Sequence, residues 1–427
     1  MKVAFLLNAY NNSIDYQNAE LSNPGIGGTE FLFWTTAYFL KKHHIDIEVY
    51  LFSKGEGPFP DNIRFVNYQS DEDVFKICGQ QEIDYLIIRG PYIKDNIDKL
   101  IKWYSQKTIV WSHNLENYPS IRKMQNNPYI IKNVCVSNEQ LYWLKDTKLY
   151  KKSTYIYNGV CFNEYKTIYE KKKFRICYIG NLYPRSGIET VASMWKIIHK
   201  KMPTAELWII GGNNLYNINV MRKSYSKRSF ARLDRVIKQA FYKDGKLDEN
   251  VHFTGVLRGH DKLKIMASAQ VGIANVTDAG DTFGLGAVEF QALGVPVVSI
   301  GKYGMLETVK DGSTGILVNN RKQMAEAVGR LLNDPSVLKS VSENMTAFVC
   351  DRFEIKYVVD EWYKLLNDPD EYNANIFENS RMYNGKYFLK CNSCLKEKIG
   401  LRWLPSTLFY KYINYLFKRI LEKAEIL

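Results

Sequence analysis

The chain has 427 residues, a formal net charge of +13 and 46% hydrophobic residues. At ~100 to 200 residues per domain this length holds two domains, and the apolar share fills both cores, which excludes a disordered chain. No apolar run approaches the ~20 residues that cross a bilayer, and the opening MKVAFLLNAYNN is too short for a secretory leader, so a soluble, cytoplasmic protein is expected. The charge favours acidic partners, whether nucleotide phosphates, anionic lipid or nucleic acid, without choosing among them. The seven cysteines are scattered and expected to be reduced thiols. Cys391 and Cys394 form one close pair, but a structural zinc site wants a second pair or nearby histidines, so no metal is expected.

Residues 2–8 (KVAFLLN) are expected to be a buried strand. Residues 24–30 (PGIGGTE) make a glycine-rich loop that opens a helix over 31–41, with a strand at 47–52. The order is Rossmann-like, but GIGGTE lacks the G-x-G-x-x-G spacing and a polar stretch, 9–23, separates it from the first strand. On its residues alone the loop is a turn with an N-cap. Strands at 85–88, 108–111 and 133–136, with helices between, continue the alternation of a doubly wound parallel sheet. His113 falls just past the strand 108–111, at the edge where ligands of open α/β sheets gather, although a lone histidine is more often a satisfied structural group.

The basic stretch 166–173 reads as a linker, after which a second alternation begins: strand 174–181 (FRICYIGN), helix 187–200, strand 206–210 and a Gly211-Gly212 turn. Residues 213–250 are long and basic, most simply a solvated helical face. A short strand and turn are expected at 251–255. The apolar run 271–276 reads as a buried strand and 285–293 as a helix, so Asp281 to Gly284 falls at a helix N-terminus, with a further strand at 295–299. Such an end binds anions through free N–H groups and the helix dipole, and Gly284 lets a phosphate approach the backbone. Asp281 and Glu289, eight positions apart, share one face if the helix begins at once. On spacing alone, an ordinary strand, helix and strand with a solvated Glu289 is the commoner outcome.

The run 278–299 (DAGDTFGLGAVEFQALGVPVVS) resembles the donor-site signature of retaining glycosyltransferases of family four, in which Glu, seven residues and Glu precede a small-residue helix end, Gly, x, Pro and a strand. Asp281 replaces the first Glu with a shorter arm. Residues 302–318 (KYGMLETVKDGSTGILV) match the family's next segment, and the likeness runs over about residues 1 to 366. It implies an α/β protein of two Rossmann-like domains facing across a cleft (GT-B): an acceptor-side domain over 1–165, a nucleotide-sugar domain over 166–353, a closing helix over 354–369 and a basic aromatic helical tail over 370–427. It also implies sugar transfer from a nucleotide-diphosphate sugar to a glycan or lipid-linked acceptor, in glycan or surface polysaccharide synthesis, with no cofactor and no metal. His113 and Asp281 would be catalytic. Gly27, Gly28, Arg185, Thr282, Phe283, Gly284, Leu285 and Glu289 would bind the donor, Glu289 at the ribose. The diphosphate loop GNLYPRSG departs from the family pattern, with Asn181 and Ser186 at its two cation positions and Arg185 one place early.

Two other classes fit the same residues: a nucleotide-sugar epimerase or phosphorylase of this architecture, and a non-catalytic basic binding protein with a decayed transferase body. No nucleic-acid partner is expected. Over 404–427, Leu408, Tyr412, Leu416 and Ile420 share one helical face with Lys411, Lys418 and Arg419 around it. Packing on the body and lying on an acidic membrane surface, a peripheral location at its inner face, both fit that pattern.

Overall fold

A computed structural model of the chain describes residues 1–7, 17, 23–24, 26–55, 58–94, 96–166, 169–184, 186–212, 227–276, 281–374, 387–401 and 403–423. The chain divides into two compact units. Met1–Ala19, Thr29–Gly159 and Ile355–Leu427 make the first, and Glu20–Gly28 with Val160–Glu354 the second.

The first unit is built on strands β1 (Lys2–Leu6), β2 (Glu48–Ser53), β3 (Arg64–Asn67), β4 (Tyr85–Arg89), β5 (Thr108–Ser112), β6 (Ile130–Cys135) and β7 (Ser153–Tyr155). They lie in the order β3-β2-β1-β4-β5-β6-β7, every pair parallel. Helices cover a parallel sheet on both faces, which is why its central strands read as unbroken apolar runs such as Val3 to Leu6. The edge strand β3 has no fully buried residue and carries no apolar run, so the sequence reading passes over it. The helix Gly28–His43 lays Phe33 edge-on against Phe5 and stacks it on Trp111, and Trp362 of the helix Ile355–Asn367 meets Trp111 from its own side.

Two C-terminal helices, Tyr387–Lys398 and Thr407–Lys423, belong to this unit, and Asp146 ties both of them to it. Buried Asp146 accepts hydrogen bonds from Asn392 Nδ2 at 2.7 Å, Thr407 N at 2.6 Å and Thr407 Oγ1 at 2.7 Å. A carboxylate holding the first amide of a helix caps it and complements its dipole. Leu408 is buried beside this cap and Lys411 Nζ lies 3.2 Å from the Trp143 ring centre.

The second unit holds β8 (Arg175–Ile179), β9 (Glu206–Ile210), a small hairpin of β10 (Tyr242–Lys243) and β11 (Lys246–Leu247), then β12 (Val251–Gly255), β13 (Val271–Ala274), β14 (Val297–Ile300) and β15 (Gly315–Val318). The large sheet runs β12-β9-β8-β13-β14-β15, all parallel. The chain builds outward from β8 through β9 to β12, then crosses back to β13 and builds the other way. Its core gathers Ile176, Val191, Trp195, Leu207, Ile273 and Val298 between the sheet and the flanking helices.

Candidate active site

The reversal of strand order between β8 and β13 leaves a crevice at their carboxyl ends, because the crossovers on either side of it leave in opposite directions. A cavity of about 210 Å³ occupies that place. Its walls come from the ends of β8 (Ile179 to Asn181), β9 (Ile210, Gly211) and β13 (Asn275), from Val256 and Leu257 beyond β12, and from the helix Leu285–Ala292. Asn23, with Ile26 and Gly28 of the glycine-rich loop, completes the lining, and all three fall within the second unit.

Among the described residues two charged side chains line the cavity, Glu289 and Lys262, and they are paired. Lys262 Nζ of the helix Gly259–Ser268 lies 2.6 Å from Glu289 Oε1, with both side chains almost fully buried. Tyr165, from the turn Glu164–Lys166, donates its hydroxyl to the same oxygen at 2.8 Å. Burial, and then the negative charge of Glu289, hold the Tyr165 phenol well above its usual range, so it stays a proton donor. Among the described residues both protein partners use Oε1, which leaves Oε2 to accept from something else. Glu289 is therefore a fixed carboxylate with one oxygen in reserve.

The helix carrying Glu289 begins at Leu285, later than an immediate start at Asp281 would require. Gly284 precedes it at φ +82°, and a Cβ there would overlap the Met305 side chain, so glycine alone fits this turn. That turn removes the helical register between Asp281 and Glu289. Asp281 instead accepts a 2.6 Å hydrogen bond from Asn275 Nδ2, and burial raises its carboxyl against the lowering effect of that bond. Asn275 itself sits at φ +53° at the end of β13, a conformation asparagine tolerates better than most residues. The first amides of the helix, those of Leu285 and Gly286, belong to cavity-lining residues, and the first helical bond runs from Ala287 N to Gly284 O. At the far end, Lys171 Nζ bonds Leu293 O at 3.3 Å and Gly294 O at 3.1 Å, a cation on the carbonyl end of the dipole. Burial lowers that ammonium to about 8.

The sequence-derived residues thus separate. Gly28, Leu285 and Glu289 line the cavity; Gly27, Asp281, Thr282, Phe283 and Gly284 do not. The Phe283 ring is buried edge-on against Phe353, 5.2 Å between centres, so its side chain serves the core. Arg185 lies outside the described residues. His113, in the first unit, is buried against Trp111 and near Phe33, and desolvation followed by the Arg89 charge lowers its imidazole to about 3. It is neutral at physiological pH. Lys262 and Tyr165 are the residues sequence reasoning missed. Lys262 carried one usable signal: it occupies a helical row with Met266, one turn away and fully buried, where a solvated lysine does not belong.

Two α/β units of this kind, the second with its crevice at the switch point, define the GT-B architecture. Residues 173–334, which hold the whole of the larger sheet of the second unit, match the family described as Glycosyl transferases group 1. Over 196 residues the chain is 25% identical to the capsular polysaccharide biosynthesis glycosyltransferase CapM of Staphylococcus aureus, a match covering 45% of this chain and 46% of that protein. It is 24% identical over 223 residues to an uncharacterised glycosyltransferase of Methanocaldococcus jannaschii, covering 49% and 51%. The chain thus spans about half the length of these curated relatives. Among solved structures, HepE of Anabaena in complex with UDP-glucose shares the fold at a TM-score of 0.63 and 15% identity, over 86% of this chain and 99% of that one.

Proposed function

We propose that the protein is a retaining glycosyltransferase that moves a sugar from a nucleotide-diphosphate donor to a glycan or lipid-linked acceptor, in the synthesis of a surface polysaccharide or related glycan on the cytoplasmic side. The observation that carries this reading is the Glu289 carboxylate, locked through Oε1 by Lys262 and Tyr165 inside a switch-point cavity. The acceptor left in reserve, Oε2 of a fixed carboxylate, suits a ribose hydroxyl, and the amides of Leu285 and Gly286 beside Gly28 suit a diphosphate. HepE is named as a complex with UDP-glucose and CapM as a capsular polysaccharide enzyme, which supports donor class and pathway class by analogy.

In the reaction the anomeric carbon–oxygen bond to the diphosphate breaks and a bond to an acceptor hydroxyl forms on the same face. Charge that develops on the leaving diphosphate is stabilised by the helix N-terminus and by cations of the chain, with Arg185 in the diphosphate loop the first choice and no metal required. Asp281 holds sugar hydroxyls, and His113 acts as a neutral imidazole at the sugar. Thermal-shift measurements across uridine, guanosine and adenosine diphosphate sugars test the reading, since a ligand at about 100 times its Kd stabilises the folded state by about 2.7 kcal/mol. One donor class is expected to raise the melting temperature of wild type and to lose that effect in Glu289→Gln, with Asp281→Asn affected less. No shift with any donor, or an equal shift in Glu289→Gln, would falsify it.

A further inference from the structure

The C-terminal helices show a feature that sugar transfer does not use. The cap on Asp146 and the burial of Leu408 fix the start of the helix Thr407–Lys423, but beyond it the apolar side chains face solvent: Ile413 is 48% and Phe417 60% exposed. Tyr410, Ile413 and Phe417 follow one another at i, i+3 and i+7, so they form one stripe, on the face away from Leu408. The stripe is not isolated. Phe388 of the preceding helix meets Tyr410 edge-on at 5.4 Å, and Tyr387, Ile399 and Trp403 are exposed to 73%, 63% and 76%. Apolar and aromatic surface therefore spreads over two helices and the turn between them. The sequence of the same region, residues 387–427, carries eight Lys and Arg against three Glu.

We infer that this face is a membrane-contact surface that seats the first unit on an anionic lipid bilayer. Tyr, Trp and Phe are the side chains that settle at the level of lipid headgroups, and the exposed Lys390 and Lys398 of the first of these helices meet acidic headgroups while their stems cover apolar surface. No helix among the described residues is long and apolar enough to cross a membrane, so the contact lies in the interface plane. A second copy of the chain fits less well. Two faces of this charge repel each other, and the exposed aromatics are broader than the narrow seam of a helix pair. An acidic bilayer is flat, broad and of opposite charge.

Co-sedimentation of the full chain with phosphatidylcholine vesicles, with and without phosphatidylglycerol, tests the inference. Wild type is expected to pellet with the anionic vesicles only, and less at high salt, where the Debye length falls to about 3 Å at 1 M. The double variant Ile413→Asp, Phe417→Asp is expected to bind at least about tenfold more weakly. Both substitutions place charge where solvent already reaches, and an unchanged far-ultraviolet circular dichroism spectrum and melting temperature will show that the variant folds. Trp403→Ser gives an independent, smaller loss. Wild-type binding by the double variant overturns the inference, as does equal binding of wild type to neutral vesicles. A wild-type dimer in light scattering that the double variant converts to monomer, with no lipid binding in either, assigns the face to a second copy instead.

Discussion

The carboxyl edges of the two large sheets differ in a way their shared parallel topology does not dictate. In the second unit the edge is lined by Gly180, Gly211 and Gly286 and by a paired Lys and Glu, and a cavity remains. In the first, the end of β5 is filled with rings: Trp111 lies under His113 at 4.4 Å and stacks on Phe33 at 4.8 Å. In the first sheet the strand order reverses between β1 and β4, so β5 lies one strand away from its switch point. At the two edges compared, ring volume fills one, and small residues with a paired charge border the cavity at the other. The same contrast separates the two titratable groups: Glu289 is buried with partners, whereas His113 is buried in an environment that strips its charge.

The largest break in this comparison is expected from Lys262→Met. Removing one member of a buried ion pair leaves the other uncompensated, at a cost of about 3 to 5 kcal/mol, readable in denaturant unfolding. Adding Glu289→Leu is expected to restore most of that stability, because an apolar pair replaces a buried ionic one at little loss, but not donor binding. Recovery of both would reduce the pair to a packing element.

His113 sets the next effect. Its folded pKa is lowered, so below pH 6.5 the unfolded chain binds the proton that the folded chain refuses, and stability falls as pH drops toward about 3. The slope approaches about 1.4 kcal/mol per pH unit well below pH 6.5, and the loss between pH 6.5 and 5 is about 1.6 kcal/mol. His113→Gln is expected to remove that part of the slope in unfolding curves taken across this range; an unchanged slope would place the acid sensitivity elsewhere.

Tyr165→Phe is the smallest change, a single oxygen. Its hydrogen bond to a charged acceptor contributes roughly 1.5 kcal/mol, so donor affinity is expected to weaken by about tenfold while turnover at saturating donor holds. Titration calorimetry beside steady-state kinetics separates the two. A fall in kcat with unchanged affinity would make Tyr165 part of the chemistry and not a positioning residue.

Much of this was legible in the sequence. The buried strands announce themselves as apolar runs because parallel sheets are covered on both faces, and Glu289 stands out through its resemblance to a donor-site pattern. The partners of Glu289 were not legible, since Lys262 and Tyr165 lie 27 and 124 residues from it and meet only in the folded unit. The eight-residue spacing of Asp281 and Glu289 misled because it assumed continuous helix, and one left-handed glycine, Gly284, cancels that assumption. The tail was read as either packed or exposed. Its helix does both, packing at Leu408 and exposing the stripe beyond, which no averaged amphipathic pattern separates.

The strand order of the second unit also bears on how the cavity comes into being. Arg175 of β8 pairs with Glu206 of β9, a separation of 31 residues, but Ile176 pairs with Val271 of β13, a separation of 95. Since closure entropy grows as the logarithm of loop length, the second pairing costs about 1 kcal/mol more than the first if both close as free loops. The long intervening segment supplies β9 and β12, whose own pairing shortens the effective loop before β13 arrives. The ligand crevice is thus a product of the longest-range contact in its sheet, bounded by strands that can associate without it.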